Sequence, residues 1–188
     1  MEFDKVIESR HSVRSFKTTK KPNYRDLISA INTATKAPLA GNINSIKYIL
    51  IQDKKKIKEL AEAAQQSFIS QVDWVIAIIS DKKAIIKSYD KRGEIYSRQQ
   101  AGAAIENLML KITELGLASC WIGAFSDIIV KRILEIPEEL DVEAIIPIGY
   151  ELGKERQHKE PDIDRVLSFD TYGNKYMVPK RTIIGEKT

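Results

Sequence analysis

The stretch Trp74-Val75-Ile76-Ala77-Ile78-Ile79 sets the fold class of this chain. Every residue in it is apolar, and the run is far below the ~20 residues that a bilayer-spanning helix requires. A strand with one face in water would alternate apolar and polar residues, whereas this one is apolar on both faces. We therefore predict a central strand in a sheet.

The elements predicted on either side of this strand alternate between helices and strands. Apolar runs predict three further strands, at Tyr48–Ile51, Ser119–Ile122 and Val142–Ile148, the last closing at Gly149. Helical spacing predicts a short helix that contains Phe3, Val6 and Ile7, a helix after an N-cap at Asn23 with Leu27, Ile28, Ile31 and Ala34 on its buried side, and helices at Asp53–Gln66, Ile95–Leu115 and Asp127–Glu135. The pattern favours one α+β domain over residues 1–188 with a mixed, mostly antiparallel sheet.

Composition excludes several classes of protein. The 30 basic residues are interleaved with 26 acidic ones, so the net charge of +4 indicates a solvated surface rather than a nucleic-acid interface. One cysteine, Cys120, and two histidines leave no intramolecular disulfide and no zinc site. Without an apolar leader or a membrane-length apolar run, we expect a cytoplasmic protein that does not enter membranes.

The familiar catalytic motifs are absent. The chain contains no G-x-G-x-x-G after a strand, no P-loop motif, no H-E-x-x-H, no C-x-x-C and no G-x-S-x-G. This argues against dinucleotide-binding dehydrogenases, P-loop enzymes, metalloproteases, thioredoxin-like proteins and α/β-hydrolases. If the protein is an enzyme, a bound cofactor is expected to supply the reactive atoms.

The cluster Arg10-His11-Ser12-Val13-Arg14 is the first candidate site. In an extended chain, residues two apart share a face, so Arg10, Ser12 and Arg14 would present two guanidiniums and a hydroxyl together. Guanidinium donors match the oxygens of a phosphate. The simpler interpretation, a basic loop that pairs with surface acids, stays open at this point.

A second candidate is the loop Ala37-Pro38-Leu39-Ala40-Gly41-Asn42-Ile43-Asn44. Its small residues and proline would bring the backbone close to a ligand, and two carboxamides could bind a flat heterocycle that offers donors and acceptors. Taken alone, the segment is only a loop that ends a helix.

Together these segments resemble the nitroreductase family of FMN-dependent oxidoreductases. Four blocks follow in the family's order: Arg10–Phe16, Ala37–Ile46, Gly116–Phe125 and Pro147–Tyr150. The chain departs from the family pattern at Asn44-Ser45-Ile46, where Gln-Pro-Trp is usual, and at Leu39, where a small hydroxyl residue is usual. The usual basic pair near the carboxy terminus is reduced to Lys159-Glu160-Pro161.

The resemblance implies a three-layer α+β homodimer with FMN at the subunit interface and a carboxy-terminal tail exchanged with the partner subunit. In one subunit it implies contacts from Arg10, His11, Ser12, Arg14 and Lys159, with Arg156 as the alternative to Lys159. From the other subunit Pro38, Leu39, Ala40, Asn42 and Asn44 would cover the flavin. Further contacts would come from Gln65, from the backbone of Pro147, Ile148 and Gly149, and from Gly123-Ala124, where a main-chain amide faces flavin N5.

The activity implied by the resemblance is hydride transfer from NAD(P)H through flavin N5 to an electron-poor acceptor, such as a quinone or a nitroaromatic, by a ping-pong mechanism. No side chain is expected to act as an acid or base, and Arg14 is expected to stabilise charge on the reduced ring. Two alternatives stay open: a flavin carrier or sensor without turnover, and a small basic nucleic-acid binder.

Three further expectations concern aromatic and thiol side chains and the pocket. Trp74 and Trp121 are predicted to lie in the core, because each sits in an apolar strand. Cys120 is predicted to be a buried apolar residue rather than a reactive thiol. The charged region between Ser80 and Gln99 corresponds to a lid in the family, and its shortness suggests an open pocket.

Overall fold

The fold is built on a four-stranded sheet. The computed structural model describes residues 2–153 and 161–177. The strands are β1 (Ile46–Ile51), β2 (Trp74–Ser80), β3 (Ala118–Ser119) and β4 (Asp141–Gly149), in the order β1-β2-β4-β3. Every ladder between them is antiparallel, and a parallel bridge joins Ser12 to Ser119 at the β3 edge. The predicted mixed, mostly antiparallel sheet is therefore confirmed.

Strand β2 lies inside the sheet, as predicted, and is buried along its whole length. Val75, Ala77 and Ile79 belong to one hydrophobic cluster, and Trp74, Ile76 and Ile78 belong to another. This alternation follows the pleat of the strand, which turns successive side chains to opposite faces. Both faces are apolar because both are covered by helices.

Two helical layers cover these faces. On one face lie α2 (Tyr24–Ala34) and α5 (Lys91–Glu114), and on the other lie α3 (Lys54–Ala63) and α6 (Asp127–Leu134). The remaining helices are α1 (Phe3–Ser9), α4 (Lys83–Tyr89) and α7 (Ile163–Val166), with 3₁₀ turns at Ala40–Asn42 and Ser67–Gln71. The architecture is the three-layer sandwich that the resemblance implied.

Helix α2 has the predicted cap but a narrower buried face. The Asn23 side chain accepts a hydrogen bond from the Arg25 amide, which satisfies one of the unpaired donors of the first turn. Leu27 and Ala34 are buried as expected, but Ile28 is 51% exposed, so its prediction was wrong for the isolated chain. Ile28 lies one residue beyond Leu27, a rotation of about 100° that takes it off the core face.

Two helix boundaries differ from the prediction by more than one residue. Helix α5 begins at Lys91 rather than Ile95, and α4 packs closely on its first turn, where a Cβ at Gly93 would lie 2.6 Å from the Ile86 Cα. Helix α3 ends at Ala63 rather than Gln66, since Gln65 has a φ of 54°, which no right-handed helix can contain.

The third predicted strand is shorter than expected. Ser119–Ile122 was the predicted range, whereas β3 ends at Ser119 and the chain meets β4 again only through a bridge between Ile122 and Ile145. Among the described stretches 2–153 and 161–177, no helix has both the length and the apolar character needed to cross a bilayer.

The carboxy-terminal part forms a unit of its own. Contacts divide the chain into residues 1–155 and 156–188. A single domain over residues 1–188 stays a prediction. Within the second unit, Asp162 caps α7, and the Lys175 ammonium donates to the carbonyls of Asp164 and Leu167. Large apolar side chains in this unit are exposed, among them Ile163, Val166, Tyr172 and Met177. Exchange of this tail with a partner stays a prediction.

Candidate functional site

The segment of residues 10–16, called here the arginine segment, runs along the β3 edge of the sheet. The Val13 amide donates to the Ser119 carbonyl at 3.0 Å, and a bridge joins Phe16 to Glu151. Val13 and Phe16 are each 1% exposed, and both belong to the core cluster on the α3 side. Ser12 and Arg14, the chain neighbours of Val13, are half-buried and exposed respectively, as the alternation of an extended segment requires.

The other two predicted residues of the arginine segment contact carboxylates. Arg10 Nε lies 3.7 Å from Glu106 Oε1 on α5. His11 Nδ1 lies 2.8 Å from the Ser9 carbonyl oxygen, and its Nε2 lies 3.0 Å from Glu151 Oε1. Both neighbours of the imidazole, a carbonyl and a carboxylate, offer oxygens that can accept a hydrogen bond.

The end of β4 lies directly beside this segment. Pro147, Ile148 and Gly149 are all buried, and Ile148 pairs with Trp74 on one side and Ser119 on the other. A Cβ at Gly149 would lie 2.9 Å from Phe16 Cδ1. Glycine at this position is therefore what allows the Phe16 ring to pack against β4.

Gly123 and Ala124 lie in an exposed stretch that follows the bridge at Ile122. Trp121, just before it, is 41% exposed, so its assignment to the core was wrong for the single chain, whereas Trp74 is 8% exposed as predicted. Cys120 is buried, as predicted. The Trp121 ring extends over α5 at Gly102, where a Cβ would lie 4.0 Å from Trp121 Cη2.

The loop of residues 38–44, called here the proline loop, is held by one buried side chain. Gln100, 4% exposed on α5, accepts from the Ala40 amide at 3.2 Å. Its amide nitrogen donates to the Ile43 carbonyl at 3.2 Å and to Ser45 Oγ at 3.3 Å. The loop keeps its shape because all of these bonds converge on one carboxamide.

Within the proline loop the two predicted asparagines are exposed. Asn42 has a φ of 57°, a left-handed conformation that asparagine tolerates better than most residues. Asn44 Oδ1 accepts from the Ile46 amide at 3.0 Å, so this oxygen already serves the turn into β1. Pro38, Leu39 and Ala40 line a cavity of about 420 Å³ together with residues of α4 and α5.

One predicted residue, Gln65, is not brought to these segments. Gln65 follows α3 and lines a different cleft, together with Lys58 and Ser70. Lys159 and its alternative Arg156 lie outside the described residues.

Two glutamines with clear roles were missed by the sequence analysis. Gln71 Oε1 accepts from the Phe16 amide at 2.8 Å, and Gln100 organises the proline loop. A signal existed for Gln100, because it lies four residues before Ala104 and eight before Leu108 on the buried face of α5. For Gln71, which ends a 3₁₀ turn, no periodicity was available.

With this geometry in view, comparison with known proteins gives a consistent result. The model of the nitroreductase family matches residues 7–74 and 64–150. An iodotyrosine deiodinase from Thermotoga neapolitana is 24% identical over 89% of this chain and 97% of its own. A protein from Streptococcus pyogenes, provisionally named an NAD(P)H nitroreductase, is 27% identical over 89% of this chain and 98% of its own.

A solved structure agrees with the fold. An FMN-dependent nitroreductase from Clostridium difficile superposes with a TM-score of 0.76 at 23% identity, over 89% of this chain and 98% of that protein. The matched family model runs from α1 through the arginine segment and the proline loop to the end of β4. This chain belongs to the nitroreductase family.

Proposed function

We propose that the protein is an FMN-dependent oxidoreductase that passes hydride from NAD(P)H to an electron-poor acceptor, such as a quinone or a nitroaromatic. Bound FMN would supply the atom, N5, that accepts and then donates the hydride. The polypeptide is left with binding, orientation and stabilisation of charge. Support comes from membership of the family and from the donor set of the arginine segment.

The single observation that carries this proposal is the way the arginine segment is fixed. Val13 and Phe16 point into the core, while Ser12 and Arg14 flank Val13 on the accessible side. Arg10 and His11 add a guanidinium and an imidazole to the same short segment. Such a set fits a phosphate dianion, because charged donors make the shortest and strongest hydrogen bonds to phosphate oxygens.

In this proposal two carboxylates hold the side chains of Arg10 and His11 in place. Glu106 faces Arg10 and Glu151 faces His11, so both side chains have a defined position before any ligand arrives. Donors fixed in advance lose less conformational entropy when they bind an anion. Arg14 is proposed to bind the flavin and to stabilise negative charge on the reduced ring, and Lys159 to complete the phosphate contacts.

The proline loop is proposed to cover the flavin of a partner subunit, in a homodimer with two such sites. Pro38, Leu39 and Ala40 would provide the apolar cover, and Asn42 would provide a polar contact. Asn44 would contribute only its side-chain nitrogen, because its Oδ1 accepts from the Ile46 amide. The backbone of Pro147–Gly149 and the exposed Gly123-Ala124 stretch would lie against the same cofactor. Gln65 remains the weakest of the proposed contacts, since it lines another cleft.

The first experiment is the absorbance spectrum of the purified protein before and after NADH or NADPH. We expect the bands of oxidised flavin, bleached by at least one nucleotide and restored by menadione, 4-nitrobenzoate or 3-iodotyrosine. A colourless protein that takes up no FMN would contradict the proposal. A protein that binds FMN without turnover would instead be a carrier or sensor.

Replacing Arg14 tests the assigned residue. We expect Arg14→Ala to weaken FMN binding about 10-fold to 100-fold, since a hydrogen bond to a charged group contributes about 1.5–3 kcal/mol. Flavin fluorescence on titration with FMN measures the effect. Arg25→Ala, which removes an exposed arginine of α2, is the matched control and should leave FMN affinity unchanged. Full affinity in Arg14→Ala would remove this residue from the site.

A further inference from the structure

The cavity beside the proline loop has features that the proposed function does not use. It lies between Pro38–Ala40 and the helices α4 and α5, and its volume of about 420 Å³ is within the range of small-molecule sites. Its other walls are Tyr89, Tyr96, Gln99, Gln100 and Ala103. The lining is mainly apolar, with a few polar groups that converge on it, as is common in ligand sites.

Two tyrosines form an aromatic wall. The rings of Tyr89 and Tyr96 meet edge to face, with centroids 5.2 Å apart and planes at 85°. Tyr89 also packs on the proline loop, where a Cβ at Gly41 would lie 2.4 Å from the Tyr89 hydroxyl. Gly41 therefore leaves room for the ring. An edge-to-face pair leaves ring surface on which a planar ligand can pack.

Arg92 lies beside this aromatic wall and has no carboxylate partner among the described residues. The guanidinium carbon of Arg92 lies 5.7 Å from the Tyr96 ring centroid. Within residues 2–153 and 161–177 it forms no ion pair, whereas the neighbouring carboxylate of Glu94 is engaged by Lys82 and Arg98. A guanidinium can bind a carboxylate through two parallel hydrogen bonds. Arg92 is thus a cation whose charge the surrounding chain does not neutralise.

A polar side chain is also available in the lining of the cavity. Gln99 lines the cavity, and its carboxamide makes no hydrogen bond to any residue that the structure describes. The carboxamide of Gln100, next to it, already makes hydrogen bonds to Ala40 and Ile43 of the proline loop. The cavity therefore has an aromatic wall and the Gln99 amide in its lining, and beside Tyr96 lies the Arg92 guanidinium, which has no carboxylate partner among the described residues.

We propose that this cavity binds the electron acceptor, and that it selects a planar aromatic acceptor carrying a carboxylate. The aromatic ring packs on Tyr96, the carboxylate binds Arg92, and Gln99 contacts a polar substituent. This inference rests on the proposed function, because the loop that walls the cavity is the one assigned to cover the flavin. It adds to the proposed function a carboxylate on the acceptor and the residue that would bind it, Arg92.

The test compares two ligands of the same shape and different charge. Oxidised flavoprotein is titrated calorimetrically with 4-nitrobenzoate and with the neutral 4-nitrobenzamide. We expect the carboxylate to bind about 10-fold more tightly, as one hydrogen-bonded charge pair would give. In Arg92→Gln the two ligands should bind alike. Tyr96→Leu should weaken both ligands while keeping the preference for the carboxylate.

A matched control comes from the same helix. Arg98→Gln removes an exposed arginine that pairs with Glu94, and it should leave the preference for 4-nitrobenzoate unchanged. Equal losses in the two arginine variants would mean that only the general positive field acts, which overturns the proposal. Equal affinity of the wild-type protein for both ligands would also overturn the proposal.

The nicotinamide donor is the other anion that could use Arg92. If Arg92→Gln slows bleaching of the flavin by NADPH and leaves the binding of 4-nitrobenzoate intact, the residue serves the donor and the proposal is overturned. Because heat of binding needs no turnover, the ligand preference remains measurable in a protein that lacks activity. A protein without flavin would end the proposed function, while the preference ratio would still decide the present inference.

Discussion

The arginine segment and the proline loop both carry predicted cofactor contacts, yet the protein anchors them in different ways. The arginine segment is tied to the sheet by backbone hydrogen bonds and by two buried side chains, Val13 and Phe16. None of residues 38–44 in the proline loop is buried, and the loop depends on hydrogen bonds from the Gln100 side chain. One region is thus part of the core, whereas the other is attached to it.

This difference suggests that the two regions have different functions. Residues that bind a permanently held cofactor benefit from a rigid support, since pre-positioned donors bind with less entropy loss. A loop that forms the wall of a substrate cavity can tolerate local opening at low cost, as binding loops commonly do. The comparison predicts global effects from changes under the arginine segment and local effects from changes under the proline loop.

The largest expected effect comes from Phe16→Ala. This side chain is 1% exposed and packs against Phe68, with ring centroids 6.4 Å apart. Its removal should lower the free energy of unfolding by about 3–5 kcal/mol, measured by urea denaturation. Phe3→Ala, at a residue 66% exposed, is the control and should change it by about 0.5 kcal/mol or less. Equal losses would show that the arginine segment is not part of the core.

A smaller and more local effect is expected from Gln100→Ala. The change leaves the Ala40 amide, the Ile43 carbonyl and the Ser45 hydroxyl without their partner, at a cost of about 1–3 kcal/mol. Hydrogen exchange should rise at the amide of Ala40 and stay low at that of Val13. Gln99→Ala, one position along the same helix, should leave both amides unchanged. Faster exchange in the arginine segment of Gln100→Ala would break the distinction between the two regions.

The smallest effect concerns the pH dependence of the support under the arginine segment. The amides of Lys56 and Lys55 donate to the Asp53 carboxylate at the start of α3, which lowers its pKa below 3.8. The unfolded chain therefore takes up this proton more readily than the folded one. The carboxylate stabilises the native state above pH 3.8 and loses this contribution as the pH falls through the lower pKa of the folded state.

Asp53→Asn isolates that contribution, because asparagine can also cap the helix but does not titrate. We expect the wild-type protein to be the more stable at neutral pH, with the difference shrinking as the pH falls below 3.8. Urea denaturation across this range measures it. A difference that stays constant down to pH 2 would show that the charge of Asp53 is not responsible.

Much of the fold was predictable because it depends on local pattern. The unbroken apolar run of β2 predicted an interior strand, and Asn23 predicted a helix start, since both signals arise from neighbouring residues. Trp121 shows where such reasoning fails. Its apolar neighbours predicted a strand in the core, but β3 ends two residues earlier and the ring lies over Gly102.

The residue types of the candidate site were predictable, whereas the side chains that hold its segments in place were not. Arginines and a serine at alternating positions indicated a shared face, and the inward Val13 between Ser12 and Arg14 agrees with that spacing, whereas the buried Phe16 departs from it. No local pattern marked Gln71, whose partner is the Phe16 amide 55 residues away, and the helical spacing of Gln100 could show its burial but not its contact with the Ala40 amide, 60 residues away. The aromatic wall depends likewise on how α4 folds back on α5, which no local pattern defines.

The unequal exposure of the two tryptophans gives the protein built-in fluorescent reporters. Trp74 donates its indole proton to the Pro22 carbonyl inside the core, while the Trp121 ring meets solvent in the single chain. Emission from the first reports whether the chain is folded, and quenching of the second by acrylamide reports whether anything has covered that side of α5. A single sample can therefore distinguish unfolding from assembly or ligand capture without an added label.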